Sequence, residues 1–370
     1  MNEFDFIQKL RAQMKSRKAS PRVLCGIGDD AAVITQSLGR DSLITADLLI
    51  EGIDFHRGAT SPRLLGHKAL AVSLSDVAAM GARPAYSLVS LGLPEDIWDT
   101  NFKERLYEGY LALAEKFGVT LIGGDISRAD QIVIDSIVLG ELRSGAAVLR
   151  STARAGDQLF VTGALGGAAA GLKLIELGAR LSEPPDSLSR WESAGVRERS
   201  LAGGAVARMS EPPAVAGGPD QSETASIDSL LLRQLRPDAR VGWGVVLGDE
   251  RLATAMIDIS DGISSDLNHL CLESAVGAVI EAAAIPVDQN VIRLCGRRAL
   301  DPLALALHGG EDFELLFTVS PENVSRLPQK VDGVPVARIG EITDAPGHVR
   351  IREKNREWDL RPEGFEHFSR

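Results

Sequence analysis

The sequence predicts an α/β (α+β) protein of two domains, with a mixed sheet and helices in the first domain and α/β structure in the second. The chain has 370 residues, more than a single hydrophobic core usually supports. Short β-branched stretches alternate with helical ones, and a strand, a glycine turn and a helix begin again near residue 150. We therefore expect an N-terminal domain over residues 1–148 and a C-terminal domain over residues 149–370.

The first domain is expected to contain an amphipathic helix that ends before Pro21, then four strands and two helices. The strand patterns are "SLITADLL" (42–49), "AYSLVSLGL" (85–93), "VTLIGGD" (119–125) and "QIVIDSIVLGEL" (131–142). The helical stretches are "SPRLLGHKALAVSLSDVAAMGA" and "DTNFKERLYEGYLALAEKFG". Gly118 ends the second helix and suits its C-cap, since glycine adopts left-handed backbone angles without strain.

The second domain is expected to begin with "GDQLFVTGALGGAAAGLKLIEL", a strand, a glycine turn and a helix. An insertion over residues 181–226 follows, rich in Pro, Ser, Gly and Glu and poor in periodic apolar residues, a composition typical of mobile segments. After it we expect a helix from about residue 227, then "TAMIDISDGISSDLNHLCLES" as a strand and a helix. A turn and a strand in "HGGEDFELLFTV" and a short β-rich tail complete the domain.

Composition and charge exclude several classes of protein. The formal net charge of −11 argues against nucleic-acid binding, which needs Lys and Arg on one face to neutralise phosphates. The three cysteines, Cys25, Cys271 and Cys295, form no CxxC pair or zinc spacing, and we interpret them as thiols in a reducing compartment. Neither a signal peptide nor a membrane span is evident, so the cytoplasm is the expected location and no membrane partner is expected.

Common nucleotide-binding and hydrolase motifs are also missing. The glycines of "GALGGAAAGLKL" do not make a phosphate loop, because Leu172 follows Gly171 where that motif requires Lys. The same stretch lacks the acidic residue and strand that a dinucleotide-binding fold places about twenty residues later. No GxSxG nucleophile elbow is present, and the six histidines show no paired metal-site spacing.

Acidic residues recur at predicted strand ends and glycine turns. They are Asp29, Asp30, Asp47, Asp76, Asp125, Asp258, Asp261, Glu311 and Asp312. Carboxylates in such positions can converge on one cleft, since strand ends in layered α/β structures lie along a common edge. Converging carboxylates repel one another and raise one another's pKa unless hard divalent cations neutralise them. The sequence therefore predicts a site for Mg²⁺.

Each acidic cluster also has a purely structural interpretation. Asp29 and Asp30 could form a turn closed by an Asx hydrogen bond. Asp47 follows an apolar stretch, and its partner could be a metal or backbone amides, because burying an unpaired polar group costs roughly 2–7 kcal/mol. Asp76 shares a helix face with Lys68, so an ion pair with that lysine is the alternative to metal binding. The charges of "HGGEDFELLF" could belong to a solvated turn.

Nine segments, taken in order, resemble the thiamine-monophosphate kinase family. They are "GIGDDAAV", "TADLLIEGIDF", "HKALAVSLSDVAAMGARP", "LIGGDISR", "VTGALGGAAAGL", "RQLRP", "IDISDGISSDL", "GGEDFELLFT" and "GFEHF". Alone, "GDD" and "SDG" would indicate only the wider superfamily of aminoimidazole-ribonucleotide-synthetase-like ATP-binding proteins. The resemblance implies that superfamily's two-domain fold and a homodimer formed through the N-terminal domain. It also implies transfer of the γ-phosphoryl group of ATP to thiamine monophosphate, giving thiamine diphosphate.

Carried over position by position, the resemblance implies three groups of site residues. The expected ligands of several Mg²⁺ ions are Asp30, Thr45, Asp47, Asp76, Asp125, Asp258 and Asp261. The expected nucleotide contacts are Gly124, Asp125, Arg150, Ser260 and Tyr107, and the expected substrate contacts are Asp54, Glu311 and Phe365. Of these, Asp47, Asp125 and Arg150 are expected to act in catalysis. Asp54 stands at a position that is often histidine in the family.

Both the donor and the acceptor of the implied reaction are phosphates. The acceptor oxygen is charged near pH 7, because the second pKa of a phosphate monoester is about 6, so no general base is needed. Catalysis then depends on positioning and on neutralising two anions that approach in line, and we expect direct transfer without a phosphoenzyme. The competing predictions are another ATP-using enzyme of the superfamily and a catalytically inactive scaffold that binds magnesium and nucleotide.

Overall fold

The structure is a computed structural model that describes residues 22–25, 29–36, 39–182, 221–298, 300–354 and 356–364. The predicted helix before Pro21 and most of the predicted insertion lie outside these ranges. No helix within them is both long and apolar enough to cross a membrane.

The first half of the chain forms a six-stranded mixed sheet with the strand order β1-β2-β3-β6-β4-β5. Its strands are β1 (Val23–Cys25), β2 (Ala32–Thr35), β3 (Arg40–Ile50), β4 (Arg83–Leu93), β5 (Thr120–Arg128) and β6 (Val133–Arg143). Neighbouring strands are antiparallel except β4 and β5, which run parallel. The four strands predicted for this half are thus confirmed, and β5 continues beyond its predicted end at residue 125.

Three helices are described in this half, and one of them organises the molecule. They are α1 (Pro62–Ala79), α2 (Glu95–Trp98) and α3 (Phe102–Phe117). Helix α1 begins at Ser61, whose side chain accepts a hydrogen bond from the backbone N–H of Leu64. It is buried along nearly its whole length, because apolar and small residues predominate around its circumference. Helix α3 ends at Gly118 in the left-handed conformation, as predicted.

Helices α1 and α3 touch through their backbones. A Cβ atom at Gly66 would lie 1.9 Å from the carbonyl oxygen of Leu106, and one at Gly109 would lie 1.8 Å from that of Arg63. No side chain fits at either position. The two glycines therefore set the separation of α1 and α3, and with it the position of α1 on the sheet.

The second half forms an eight-stranded sheet with the order β14-β13-β9-β12-β7-β10-β8, to which β11 is added beside β12. Its strands are β7 (Gln158–Thr162), β8 (Ala253–Asp258), β9 (Gly277–Glu281), β10 (Leu315–Val319), β11 (Lys330–Val331), β12 (Val334–Thr343), β13 (Val349–Glu353) and β14 (Arg356–Asp359). Only β9 and β13 pair in parallel within it. The strands predicted around residues 158–162, 253–258 and 315–319 are confirmed.

The helices described in this half are α4 (Gly167–Glu176), α5 (Gln221–Leu235), α6 (Val241–Asp249), α7 (Ile263–Ser274), α8 (Gln289–Arg298) and α9 (Pro302–His308). The predicted start of α5 at about residue 227 is wrong, because the helix already begins at Gln221, within the predicted insertion. The first turn was not predicted because its residues are polar and show no apolar periodicity.

One apolar core reaches from the first sheet into the second half. It joins residues of α1 such as Ala78 to Trp243 and Phe317. The rings of Phe160 and Phe317 stack with their centroids 5.7 Å apart, and Trp243 is 1% exposed. The two halves are thus packed together, while the predicted division between residues 148 and 149 stays a prediction.

Candidate active site

Three aspartates converge where the two halves of the chain meet. Asp30 lies in the loop before β2, Asp76 on α1 and Asp258 at the end of β8. One carboxylate oxygen of each lies within 4.8 Å of those of the other two. The sequence predicted that acidic residues converge on one cleft, and Asp76 lies on the helix predicted for it.

Hydroxyl groups hold these carboxylates in place. Ser75 Oγ donates to Asp258 Oδ2 at 2.6 Å. Thr45 Oγ1 donates to a carboxylate oxygen of Asp76 and lies 3.4 Å from the carbonyl oxygen of Asp30. Ser75 is a site residue that sequence reasoning missed, because a serine in a small-residue helix carries no motif of its own.

The surroundings of the Asp76 and Asp258 carboxylates raise their pKa values. Burial, followed by the charges of Asp47 and Asp258, raises the pKa of Asp76 well above its usual value. Burial and the charge of Asp30 also raise the pKa of Asp258 well above its usual value, although the hydrogen bond from Ser75 and the charge of Arg150 lower it. Grouped carboxylates of this kind favour either protons or a bound cation.

Asp47 provides the clearest sign of a missing partner. It lies within β3, as the strand predicted over residues 42–49 implies, on the face covered by α1. Its Oδ2 atom is buried without a hydrogen-bond partner in the described part of the chain. The alternative in which backbone amides, rather than a metal, are the partner of Asp47 therefore does not hold for this oxygen. Burial raises the pKa of Asp47 to about 6, with Ser73 lowering it and Asp135 and Asp30 raising it. The oxygen-only donor set, with one orphaned oxygen, fits Mg²⁺.

Arg150 supplies positive charge beside the aspartates. Its guanidinium forms a two-point ion pair with Asp30, in which Nε lies 2.9 Å from Oδ2 and a terminal nitrogen binds Oδ1. The backbone of Arg150 is fixed as well, since its N–H donates to Asp29 Oδ2 at 3.3 Å and its carbonyl accepts from Ser274 Oγ at 2.6 Å. Burial alone would lower the pKa of Arg150, but Asp30 and Asp29 raise it. Arg150 is thus a fixed cation.

Asp29 supports this arrangement. It accepts hydrogen bonds from the backbone N–H groups of Asp30 and Arg150. Burial and the charge of Asp30 raise the pKa of Asp29 to about 7. The adjacent aspartates of "GDD" therefore divide their roles, with Asp30 facing the carboxylate group and Asp29 shaping the loop and holding Arg150.

The loop after β8 is closed by a residue that the sequence did not single out. Asp266, in the first turn of α7, accepts from the backbone N–H groups of Asp261 at 3.2 Å and Gly262 at 3.0 Å. This pair of hydrogen bonds satisfies backbone N–H groups at the N-terminus of α7, where a helix leaves such groups without an internal partner. It sets the path of the chain through Asp258, Ser260 and Asp261. The signal that could have found it is the spacing of "SDGISSD".

Three predicted residues are not brought to the carboxylate group. Asp125 is exposed on β5. It is in register with Leu48 of β3, which lies three strand spacings away, or roughly 14 Å. Both side chains are on the sheet face opposite to that of Asp47. Gly124 faces the α1 side, and a Cβ atom there would lie 1.8 Å from the carbonyl oxygen of Val89. Tyr107 is half-buried on α3, where burial raises its pKa. Their assignment to nucleotide and metal stays a prediction.

Two of the predicted substrate residues lie near an open cavity beside the N-terminal half of α1. Asp54 lines this cavity, and its Oδ2 accepts from the backbone N–H of Ile50 at 2.7 Å. Glu311 forms an ion pair with Lys68, 2.6 Å from Oε1 to Nζ. The predicted alternative of an ion pair between Lys68 and Asp76 is therefore wrong, because Lys68 faces the second half of the chain. Phe365 lies outside the described residues.

The other acids of "GGEDFELL" have structural partners. Asp312 accepts from the backbone N–H groups of Gly166 at 2.6 Å and Ala168 at 3.1 Å, at the start of α4. Glu314 is fully buried between Arg233 and Arg240; burial alone would raise its pKa, but the two arginines lower it. A solvated turn is therefore wrong for Asp312 and Glu314. The N-terminus of α4 is capped by a carboxylate, which agrees with the exclusion of a phosphate loop.

Two family models match the chain. Residues 28–142 match the model of AIR synthase related protein, N-terminal domain, and residues 217–352 match that of AIR synthase related protein, C-terminal domain. The two-domain fold and the carboxylate site where its halves meet thus define an AIR-synthase-related protein.

Full-length relatives narrow this class. The thiamine-monophosphate kinase of Bacillus subtilis is 32% identical over 372 residues, covering 100% of both chains. The chain therefore belongs to the thiamine-monophosphate kinase family. Among solved structures, AaThiL complexed with AMPPCP and TMP is 29% identical with a TM-score of 0.77, covering 99% of this chain and 97% of that one. The thiamine-monophosphate kinase of Stenotrophomonas maltophilia is 33% identical with a TM-score of 0.68, covering 94% and 96%. The resemblance, the fold and the kinase class predicted from the sequence are confirmed.

Proposed function

We propose that this chain transfers the γ-phosphoryl group of ATP directly to the phosphate of thiamine monophosphate. The observation that carries the proposal is the convergence of Asp30, Asp76 and Asp258 from both halves of the chain, beside the orphaned oxygen of Asp47. Relatives named thiamine-monophosphate kinase and the AaThiL complex with AMPPCP and TMP support it.

Asp30, Asp47, Asp76 and Asp258 would hold Mg²⁺, and Thr45 and Asp261 are the further proposed ligands. Bound there, Mg²⁺ neutralises the negative charge of the two phosphates that must approach each other. This role accounts for a site that is richer in aspartate than in lysine or arginine.

The protein's own residues would bind and orient the two phosphates. Arg150 is the fixed cation beside Asp30, and a guanidinium suits two-point binding of a phosphate. The acceptor is already an anion near pH 7, so the proposal assigns no general base. Gly124, Asp125, Tyr107 and Ser260 remain the proposed nucleotide contacts.

An assay of ADP and thiamine diphosphate formed from ATP and thiamine monophosphate tests the proposed function. We expect equimolar products that require Mg²⁺. Nucleotide binding without product would favour the inactive scaffold instead. Incubation with γ-labelled ATP alone should leave the protein unlabelled, and a trapped phosphoprotein would exclude direct transfer.

We also propose that two copies of the chain pair through the open face and free edge of the first sheet. Leu48 and Tyr86 on the face opposite α1 are 53% and 44% exposed, and Ile122 on the edge strand β5 is 56% exposed. A long exposed edge strand beside apolar residues is a surface that proteins normally cover. Sedimentation velocity should show a dimer, and Leu48→Lys should shift it to monomer. A monomeric wild-type chain would contradict the pairing.

A further inference from the structure

Lys68 is a buried ammonium group between the two halves of the chain. The residue is 3% exposed, in a helix that is buried along nearly its whole length. Its Nζ atom lies 2.6 Å from Glu311 Oε1 and donates to the carbonyl oxygen of Asp54 at 3.3 Å. Removing an ammonium group from water costs several kcal/mol, so it persists in such a place only with good partners.

Glu311 is held from several directions at once. Its backbone has a φ of +62°, and its N–H donates to the carbonyl oxygen of Ser260 at 2.7 Å. Lys68 binds one carboxylate oxygen, and Gln234 Nε2 donates to the other. Left-handed backbone at a residue other than glycine is costly and concentrates at functional sites. The side chain nevertheless keeps 29% of its surface exposed, so the carboxylate is fixed and still accessible.

A shallow cavity, open to solvent, lies beside this cluster. Its walls include the apolar side chains of Phe55, Leu65, Leu172 and Leu235, and its polar groups include Lys68 and Gln234. Apolar walls with a few convergent polar groups are typical of sites for small organic ligands. Lys68 and Asp76 are both on α1, about 12 Å apart along its axis. One ligand lying along α1 can therefore reach both the cavity and the carboxylate group.

We infer that Lys68 and Gln234 are positioning residues, which hold the Glu311 carboxylate in the orientation that recognises the ring end of the substrate. The inference rests on the proposed function. Thiamine monophosphate carries an aminopyrimidine, which donates hydrogen bonds, and a positively charged thiazolium ring. Both groups favour an ionised carboxylate at a fixed place beside apolar walls. Without Lys68, the carboxylate loses its fixed orientation and the partner that balances its charge.

The test compares Lys68→Met, Glu311→Gln and the double variant in steady-state kinetics and in calorimetric binding of thiamine monophosphate without ATP. Because Glu311 loses the partner that orients it, K68M should raise KM and Kd for thiamine monophosphate by about tenfold or more. The KM for ATP should not change. Because both residues act through one contact, the double variant should be no worse than E311Q alone. Gln234→Leu, which removes the second contact to Glu311, provides the same readout if K68M does not fold.

Arg83→Met is the matched control. Arg83 on β4 pairs with Asp249 on α6 at 2.6 Å, so it also bridges the two halves but lies on the surface away from the cavity. R83M should leave KM for thiamine monophosphate unchanged. If the wild-type chain is active, two results would overturn the inference and leave the proposed function standing. One is a KM and a Kd for thiamine monophosphate that are unchanged from wild type in K68M and Q234L. The other is an increase in R83M as large as that in K68M. A wild-type chain that forms no thiamine diphosphate would overturn the proposed function and the inference with it.

Discussion

Asp312 and Asp47 are both aspartates in acidic motifs, but they differ in their hydrogen-bond partners. Asp312 accepts two backbone hydrogen bonds at the start of α4 and lies 3.6 Å from Arg233. Asp47 has a buried oxygen without such a partner among the described residues. Burial raises the pKa of both to about 6, so the pKa alone does not distinguish them. The carboxylate oxygen without a hydrogen-bond partner is the observation that indicates a cation at Asp47.

Asp47→Asn is expected to abolish turnover at any Mg²⁺ concentration and to leave the fold intact. The amide removes a negative ligand, and loss of one electrostatic contact in a preorganised site costs about 10²–10³-fold in kcat. Thiamine diphosphate formation across a Mg²⁺ titration, with circular dichroism, measures both effects. Asp135→Asn is the control, since it removes a charge from the neighbouring strand on the opposite sheet face. Near-normal activity of D47N would remove Asp47 from the metal site.

The stability of the metal-free protein should fall as the pH rises from about 4 to 7. The folded-state pKa values of Asp47 and Asp29 are about 6 and about 7, above the ordinary value of 3.8. The folded state therefore binds these protons more tightly, so their contribution to stability is complete below pH 3.8 and is lost as the pH rises through 6 and 7. Urea unfolding in EDTA at several pH values measures this fall. The D47N variant should show a shallower fall, and an identical pH dependence would contradict the assignment.

At the scale of the element, α7 and the loop before it form one unit. Asp266 reaches back from the first turn to the N–H groups of Asp261 and Gly262. Gly262 has a φ of +106°, which an L side chain rarely adopts. The hydrogen bonds therefore stabilise a loop conformation that also places Asp258 beside Ser75.

Asp266→Ala should lower the free energy of unfolding by about 1–3 kcal/mol, because two buried backbone N–H groups lose their acceptor. It should also weaken Mg²⁺ binding, since the loop directly follows Asp258 at the end of β8. Asp301→Ala is the matched control: Asp301 caps α9 by accepting from Leu303 N at 2.9 Å, in an exposed position. D301A should lose stability without changing Mg²⁺ affinity. Equal Mg²⁺ affinity in D266A and the wild type would show that the cap is structural only.

The sequence predicted the strands, α1, α3 and the acidic motifs well, because their periodicity and glycine turns are local. It did not predict the partner of Lys68, since Glu311 comes from the other half of the chain and helical spacing offered Asp76 instead. Ser75, Gln234 and Asp266 were missed for the same reason: their roles depend on elements that are distant in sequence or on a loop conformation.

At the scale of the whole molecule, the carboxylate group joins two halves that also share an apolar core. Asp30 and Asp76 belong to the first half and Asp258 to the second. A cation bound by all three would therefore connect the halves as well as serve catalysis. Binding to the folded state alone stabilises it by mass action.

Mg²⁺ should accordingly raise the melting temperature of the wild-type chain. The expected stabilisation is about 2.7 kcal/mol at a Mg²⁺ concentration of 100 times Kd. Thermal unfolding in EDTA and in rising MgCl₂, at ionic strength held constant with NaCl, measures it. Asp258→Asn should remove most of the shift. A melting temperature independent of Mg²⁺ would contradict a cation that joins the two halves.

The backbone contact between α1 and α3 also bears on which mutations the chain can accumulate over evolutionary time. Exchange of one large apolar residue for another around α1 changes the packing by a methyl group or so, and typically costs less than about 1.5 kcal/mol. A methyl group at Gly66 or Gly109 would instead overlap a carbonyl group and push the two helices apart. Because α1 carries both Asp76 and Lys68, that displacement would reach the site from a distance. The core around α1 can therefore accept volume-conserving exchanges that Gly66 and Gly109 cannot.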